Sequence, residues 1–373
     1  MKRLCIIVLL CGMLCLFAAC NRNYTDYPHE PTSGPLFDAT TGSLNNETVG
    51  EDIDTTIVDF VQFEEGYQYG NMQKNLPPGG FMRLEDEVLF EYQSNGRILL
   101  YCYNLTTGKV SSFCKDATCN HSSCASSRLG GNLEVYKGKL YSLTGSGKVA
   151  EIKDSEKEIL LNAEINDFFH HNNKLYIRTF DSSLIVLENG YKKPQVVIEE
   201  YTGYWNVIFG QYLYGTTSNN MIRIDLTAEE PKEEVIVVNG GGITDGVHIY
   251  YIDNQTYYLY RCNMDGSNDQ LLLNKPVLKA SMNFDDEYFY YRLHAGSPLY
   301  EGEGSHDIYR FPKEDPTRIE KFVTLETAAY QVYTVPGTGI VFVTTIAADG
   351  EKRPIYIIDT NANTTTQLEI PVY

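Results

Sequence analysis

A short phrase, an apolar residue followed by an aromatic one, returns seven times along this chain: Leu89-Phe90, Leu140-Tyr141, Leu175-Tyr176, Leu213-Tyr214, Ile249-Tyr250, Phe289-Tyr290 and Val341-Phe342. Successive copies lie 51, 35, 38, 36, 40 and 52 residues apart. A second phrase, a strand running into a turn, follows several of them: Leu100-Tyr101-Cys102-Tyr103-Asn104, Met221-Ile222-Arg223-Ile224-Asp225, Leu259-Tyr260-Arg261-Cys262-Asn263, Ile308-Tyr309-Arg310-Phe311 and Ile355-Tyr356-Ile357-Ile358-Asp359. A period near forty residues with several short strands per unit is the signature of radially repeated sheets. Each sheet leaves a face that only its neighbour can bury, so the units must stack. The expectation is an all-β chain: a single β-propeller over residues 57–373 with seven blades, six and eight being the adjacent counts. The 29 Tyr and 30 Gly suit short strands and tight turns. Residues 57–63 alternate well enough to form a strand, and pairing them with 364–373 would close the ring and remove its edges.

One stretch is more specific. Ile249-Tyr250-Tyr251 followed by Leu259-Tyr260-Arg261-Cys262-Asn263-Met264-Asp265-Gly266-Ser267-Asn268 resembles the propeller repeat of low-density-lipoprotein-receptor type. Tyr250-Tyr251-Ile252-Asp253 stands where that repeat has Tyr-Trp-Thr-Asp. Gly70-Asn71, Asn75-Leu76 and Gly79-Gly80 resemble the opening of clostridial-type lipoproteins of unknown function that carry the same propeller. The resemblance covers residues 57–373 and implies fold and an exported setting. It implies no activity, because propellers host many functions.

The first residues set the address. Met1-Lys2-Arg3 is a short positive start, and an apolar run from Leu4 to Ala19 follows. That order is a secretory signal. The run ends Leu16-Phe17-Ala18-Ala19-Cys20, which resembles a bacterial lipobox with Phe17 where Leu is usual. The reading is a signal peptide at 1–19 and a new N-terminus at Cys20 carrying acyl chains of palmitate type. An uncleaved membrane helix is the alternative. Residues 20–56 are interrupted by Pro28, Pro31 and Pro35 and read as a flexible tether. The protein is thereby expected at the cell membrane, lipid-anchored and facing outside.

Charge narrows the partners. Thirty basic residues against 49 acidic ones give a net charge of −19. Such a surface repels nucleic acid and anionic lipid headgroups, so nucleic acid is excluded as a partner and membrane attachment needs the covalent anchor.

The densest chemistry is Cys114-Lys115-Asp116-Ala117-Thr118-Cys119-Asn120-His121-Ser122-Ser123-Cys124. Three sulfurs and an imidazole match the Cys3His set that zinc prefers, at a spacing that is no standard finger. A disulfide is the competing reading, because export usually means oxidising conditions. Free thiols are the third. Lipidation of Cys20 leaves Cys102, Cys114, Cys119, Cys124 and Cys262, an odd number, so complete internal pairing is impossible. Cys102 and Cys262 lie within strand patterns and read as buried small hydrophobes. The Cys-rich insert, 114–131, is expected to join the fourth strand of blade one to the first of blade two. On the same face a long loop would carry His294, Glu301, Glu303, His306 and Asp307, a candidate ligand face whose plainer reading is a solvated acidic loop. Asp265-Gly266, and His170-His171 with Asn172-Asn173, read as turns. Asp285-Asp286-Glu287 read as strand residues pointing to opposite faces. No Gly-x-Ser-x-Gly or His-Glu-x-x-His motif occurs. The functional expectation is a non-catalytic, surface-anchored propeller that binds an extracellular protein or a solute such as a glycan. The alternatives are an exported enzyme acting on polysaccharide or peptide with Glu301 or Glu303 as acid and base, and a metal or redox module on the Cys-rich insert.

Overall fold

Adjacent residues of a strand point to opposite faces, so an apolar pair such as Leu89-Phe90 asks for cover on both sides. The computed structural model supplies that cover by arranging seven four-stranded sheets as blades. It describes residues 81–371, apart from 95–96, 117–118, 120, 122–123, 125–131, 145–146, 154–155, 162–164, 188–193, 295–304, 336 and 346–353. The chain divides after Ile57 into two units. The first lies outside the described residues, and the second contains the propeller.

Every blade is four consecutive strands in chain order, each antiparallel to the last. Blade one comprises Met82–Leu84, Glu87–Ser94, Arg97–Asn104 and Val110–Ser112. Blade two follows with Glu134–Tyr136, Lys139–Leu143, Val149–Lys153 and Glu156–Leu161, and blade three with Ile165–His171, Lys174–Thr179, Leu184–Leu187 and Pro194–Ile198. Blade four is Tyr204–Phe209, Tyr212–Thr216, Met221–Asp225 and Glu234–Val237, and blade five Gly240–Thr244, His248–Asp253, Leu259–Asn263 and Gln270–Leu273. A single 3-10 turn, Lys279–Ser281, precedes blade six: Asn283–Phe284, Tyr288–Tyr291, Asp307–Pro312 and Glu320–Thr324. Blade seven is Ala329–Val335, Ile340–Thr345, Ile355–Asp359 and Thr364–Gln367. Among the described residues no helix is long and apolar enough to cross a membrane.

All seven aromatic phrases fall in second strands, which have paired strands on both sides and neighbouring blades on both faces. Leu89 packs with Leu140, Ala150 and Ile152 of blade two. Phe90, one residue on, packs with Tyr333 and Phe342 of blade seven. The register between third and fourth strands shifts in blades two to six, between Val149/Ala150, Leu184/Ile185, Met221/Ile222, Leu259/Tyr260 and Ile308/Tyr309. A bulge at this point increases strand twist and turns the outer edge of the blade.

The sequence expectation pairs residues 57–63 with 364–373 to close the ring. Thr364–Gln367 is the fourth strand of blade seven itself, paired with Tyr356–Asp359. The expected partner, residues 57–63, lies outside the described residues. Among the described residues, blades seven and one are joined by side chains. The Phe81 ring lies 4.6 Å from that of Phe342 and 4.7 Å from that of Tyr333, and Tyr101 Oη donates to Pro371 O at 3.1 Å.

Turns on one face repeat a device. Asp225, Asp265, Asp315 and Asp359 end third strands or follow them, and each carboxylate accepts backbone N–H groups two or three residues on. This is the local bonding that favours Asp in turns. Asp265 also accepts from Ser267 Oγ, and Gly266 sits at φ +83°, so the turn reading holds there. Asn172 and Asn173 form a left-handed pair at φ 47° and 61°, but His170 and His171 belong to the preceding strand and are buried. Asp285-Asp286-Glu287 form a turn, not a strand. Asp285 accepts from the N–H groups of Glu287 and Tyr288 and from Tyr290 Oη.

Candidate metal centre and the face that carries it

The connection from Ser112 to Glu134 joins blade one to blade two, as the spacing predicts. Its first residues remain tied to blade one, where Phe113 N–H donates to Leu100 O at 3.0 Å. The chain then turns back at Asp116, whose carbonyl accepts from Cys119 N–H at 3.1 Å. That reversal brings Cys114, Cys119, His121 and Cys124 together, with one donor atom from each lying within 4.8 Å of all the others. His121 Nδ1 is 3.5 Å from Cys124 Sγ. Two backbone N–H groups address sulfur: that of His121 donates to Cys119 Sγ at 3.4 Å, and that of Asp116 to Cys114 Sγ. Cys114 and His121 are buried, at 5% and 3% exposure, so a neutral thiol and an imidazole sit away from water. Burial, together with the neighbouring Cys119 and Cys124, pushes the Cys114 thiol up to about 11 despite the Asp116 N–H. No disulfide links the five cysteines among the described residues. Cys102 and Cys262 are buried in third strands, and burial raises both thiols, that of Cys262 to about 12.

The second long excursion, between Tyr291 and Asp307, leaves on the same face. Glu301 and Glu303 lie outside the described residues. His294 stacks on Tyr257 of blade five at 5.0 Å, its N–H donates to Pro276 O, and burial with the nearby Arg292 charge lowers its pKa. His306 Nδ1 lies 3.1 Å from Leu325 O. Asp307 accepts from Thr324 Oγ1 and lies 3.7 Å from Lys321 Nζ across the blade edge. His306 and Asp307 thus fasten the base of the excursion to the fourth strand of blade six and to Leu325 just after it. The structure brings the four residues of the Cys-rich insert into one cluster, and it distributes His294, His306 and Asp307 along the loop base.

Two further arrangements escaped the sequence reading. Glu134 on the first strand of blade two accepts His170 N–H at 2.7 Å and meets His170 Nδ1 at 2.8 Å, with the imidazole stacked on Tyr136 at 4.9 Å. Both side chains are buried at 2% exposure, 36 residues apart in sequence. On the opposite face a polar cleft of about 270 Å³ opens between blades six and seven, lined by Asp285, Asp286, Tyr288, Arg310, Thr338 and Asn361 among others. The signal for the cleft was the acidic run at 285–287; its significance depends on Arg310 and blade seven arriving beside it.

No protein-family model matches this chain, and no curated protein does. Solved structures similar to it include a chain from the crystal structure of a nidogen/laminin complex, 14% identical, covering 61% of this chain and 91% of that one with a TM-score of 0.37. A streptogramin B lyase structure is 12% identical, covering 76% and 92% with a TM-score of 0.45. The tricorn protease is 10% identical, covering 78% and 39% with a TM-score of 0.39. The seven four-stranded blades make the described part of this chain a β-propeller.

Proposed function

We propose that this protein is an exported, lipid-anchored, non-catalytic propeller of the kind its clostridial-type lipoprotein resemblance implies. It is held to the outside of a bacterial membrane through Cys20, and the face bearing the two long excursions binds an extracellular protein or a solute such as a glycan. The observation that supports the binding face is the distribution of connections. The longest ones between described strands, 113–133 and 292–306, leave on one side of the ring, while the other side is closed mostly by short Asp-directed turns. Rigid scaffolds concentrate recognition in such loops. The anchor rests on Lys2-Arg3, the apolar run and Ala18-Ala19-Cys20.

Both halves are testable in the native host. Cys20→Ser is expected to abolish acylation and to move the protein from the membrane to the soluble exported fraction. Retention in the membrane refutes the anchor. The soluble Cys20→Ser protein is then screened against a glycan array and host cell-wall polysaccharide, beside a variant with residues 295–304 replaced by Gly and Ser. Binding lost in the variant supports the assigned face. Cleavage of any array substrate by the parent but not the variant overturns the non-catalytic reading.

A further inference from the structure

We propose that Cys114, Cys119, His121 and Cys124 hold one zinc ion in a closed, structural centre that staples the blade one–two connection onto the edge of blade one. This stands independently of the binding face proposed above.

The donor set is complete and already collected. A tetrahedral centre with Zn–S near 2.3 Å and Zn–N near 2.0–2.1 Å requires donors spaced about 3.5–3.8 Å apart. The four donor atoms lie within 4.8 Å of one another, and His121 Nδ1 with Cys124 Sγ is at 3.5 Å, already at that spacing. A contraction of about 1 Å or less per pair completes the shell. Three thiolates and an imidazole are soft and borderline donors, which select zinc over calcium or magnesium. Four protein donors leave no open position, so the ion would be structural and not catalytic.

The surroundings match a thiolate centre better than a disulfide. Bonding any two sulfurs would leave a third sulfur and a buried imidazole without a role. Two of the three sulfurs instead receive backbone N–H groups from two residues further on, Asp116 to Cys114 and His121 to Cys119. The same local turn thus occurs twice, once for each half of the donor set. Three thiolates and Zn2+ carry a net charge of −1, and N–H donors outside the first ring of ligands offset it while fixing sulfur orientation. His121 adopts φ 51°, a left-handed conformation that a non-glycine residue rarely holds without compensation. In that conformation its N–H points to Cys119 and its ring to Cys124, so one strained residue serves two donors.

The location explains the need. Between Ser112 and Glu134 the chain contributes no regular strand or helix among its described residues. Leu133, at the end of the connection, is wholly buried in the core shared by blades one and two. A metal closing the loop early limits its freedom and sets the approach of Leu133.

The test uses the Cys20→Ser chain, untagged and purified from zinc-supplemented cells without reductant. Native mass spectrometry and elemental analysis are expected to give close to one zinc per chain. Cys119→Ser and His121→Ala should lose it, while Cys102→Ser and Cys262→Ser, in the blade cores, should retain it. Cobalt replacement of the zinc should produce the intense visible bands of a tetrahedral thiolate site, a readout that needs no variant to fold. Cys114→Ser should keep the propeller folded and expose residues 114–131 to protease. The proposal is overturned by a metal-free chain two mass units light for each disulfide, by stoichiometric iron or copper in place of zinc, or by a weak octahedral cobalt spectrum.

Discussion

Phe342→Ala tests how the ring is closed. Phe342 is the aromatic of the seventh repeat phrase and is fully buried. Its ring lies 4.6 Å from Phe81 and 5.4 Å, edge-on, from Tyr103, both reached across the junction between the last blade and the first. Truncating a buried Phe costs about 3–5 kcal/mol, the sum of lost transfer energy and the cavity left behind. Two aromatic pairs lie within that figure at roughly 0.5–1.5 kcal/mol each. Because Tyr333, Val335, Ile355 and Ile357 surround the same space, a collapse that fills the cavity would need movement of both blades, and the expectation is about 4 kcal/mol. The assay is urea unfolding of the soluble Cys20→Ser chain, with Phe180→Ala as control. Phe180 is 65% exposed, and its loss should cost under about 0.5 kcal/mol. Hydrogen exchange should show protection lost first in blades seven and one. A loss below about 1 kcal/mol, or protection lost evenly around the ring, would refute closure by this aromatic cluster.

Two more perturbations address the ring interior. A Cβ on Gly242 would lie 1.9 Å from the Tyr250 carbonyl oxygen and 2.6 Å from Tyr251 Cα, so Gly242→Ala should destabilise blade five by about 3 kcal/mol, seen as a lowered urea midpoint; an unchanged midpoint would mean the first two strands of that blade separate freely. Burial lowers the Lys279 ammonium to about 8, below its usual value of 10.5. The unfolded chain therefore holds the proton more tightly between those values, and this residue adds stability as pH rises from about 8 to about 10.5, with no change below 8. Lys279→Met should remove that rise and strengthen the fold at neutral pH; identical pH dependence in the two proteins would show that the ammonium is well solvated.

The fold was legible because a propeller repeats its physics. Each blade needs a central strand covered on both faces, so an adjacent apolar–aromatic pair recurs, and in blades four to seven an Asp-directed turn follows the third strand. Counting Leu89-Phe90 through Val341-Phe342 therefore counts blades. The Cys-rich cluster was legible because its four donors lie within eleven residues, and a short loop can collect them without help from the rest of the chain. What the sequence could not disclose depends on residues that meet across blades. Nothing local joins Glu134 to His170, or Arg310 to the turn at Asp285 and the chain at Thr338. Closure depends on such meetings too: alternation in 57–63 marks a strand-like segment but not its partner, and Phe81, Phe342 and Tyr333 find one another only after the ring has curved round to bring blade seven beside blade one. Local periodicity determined what each sheet is; the sum of seven twists decided which side chains stand opposite one another.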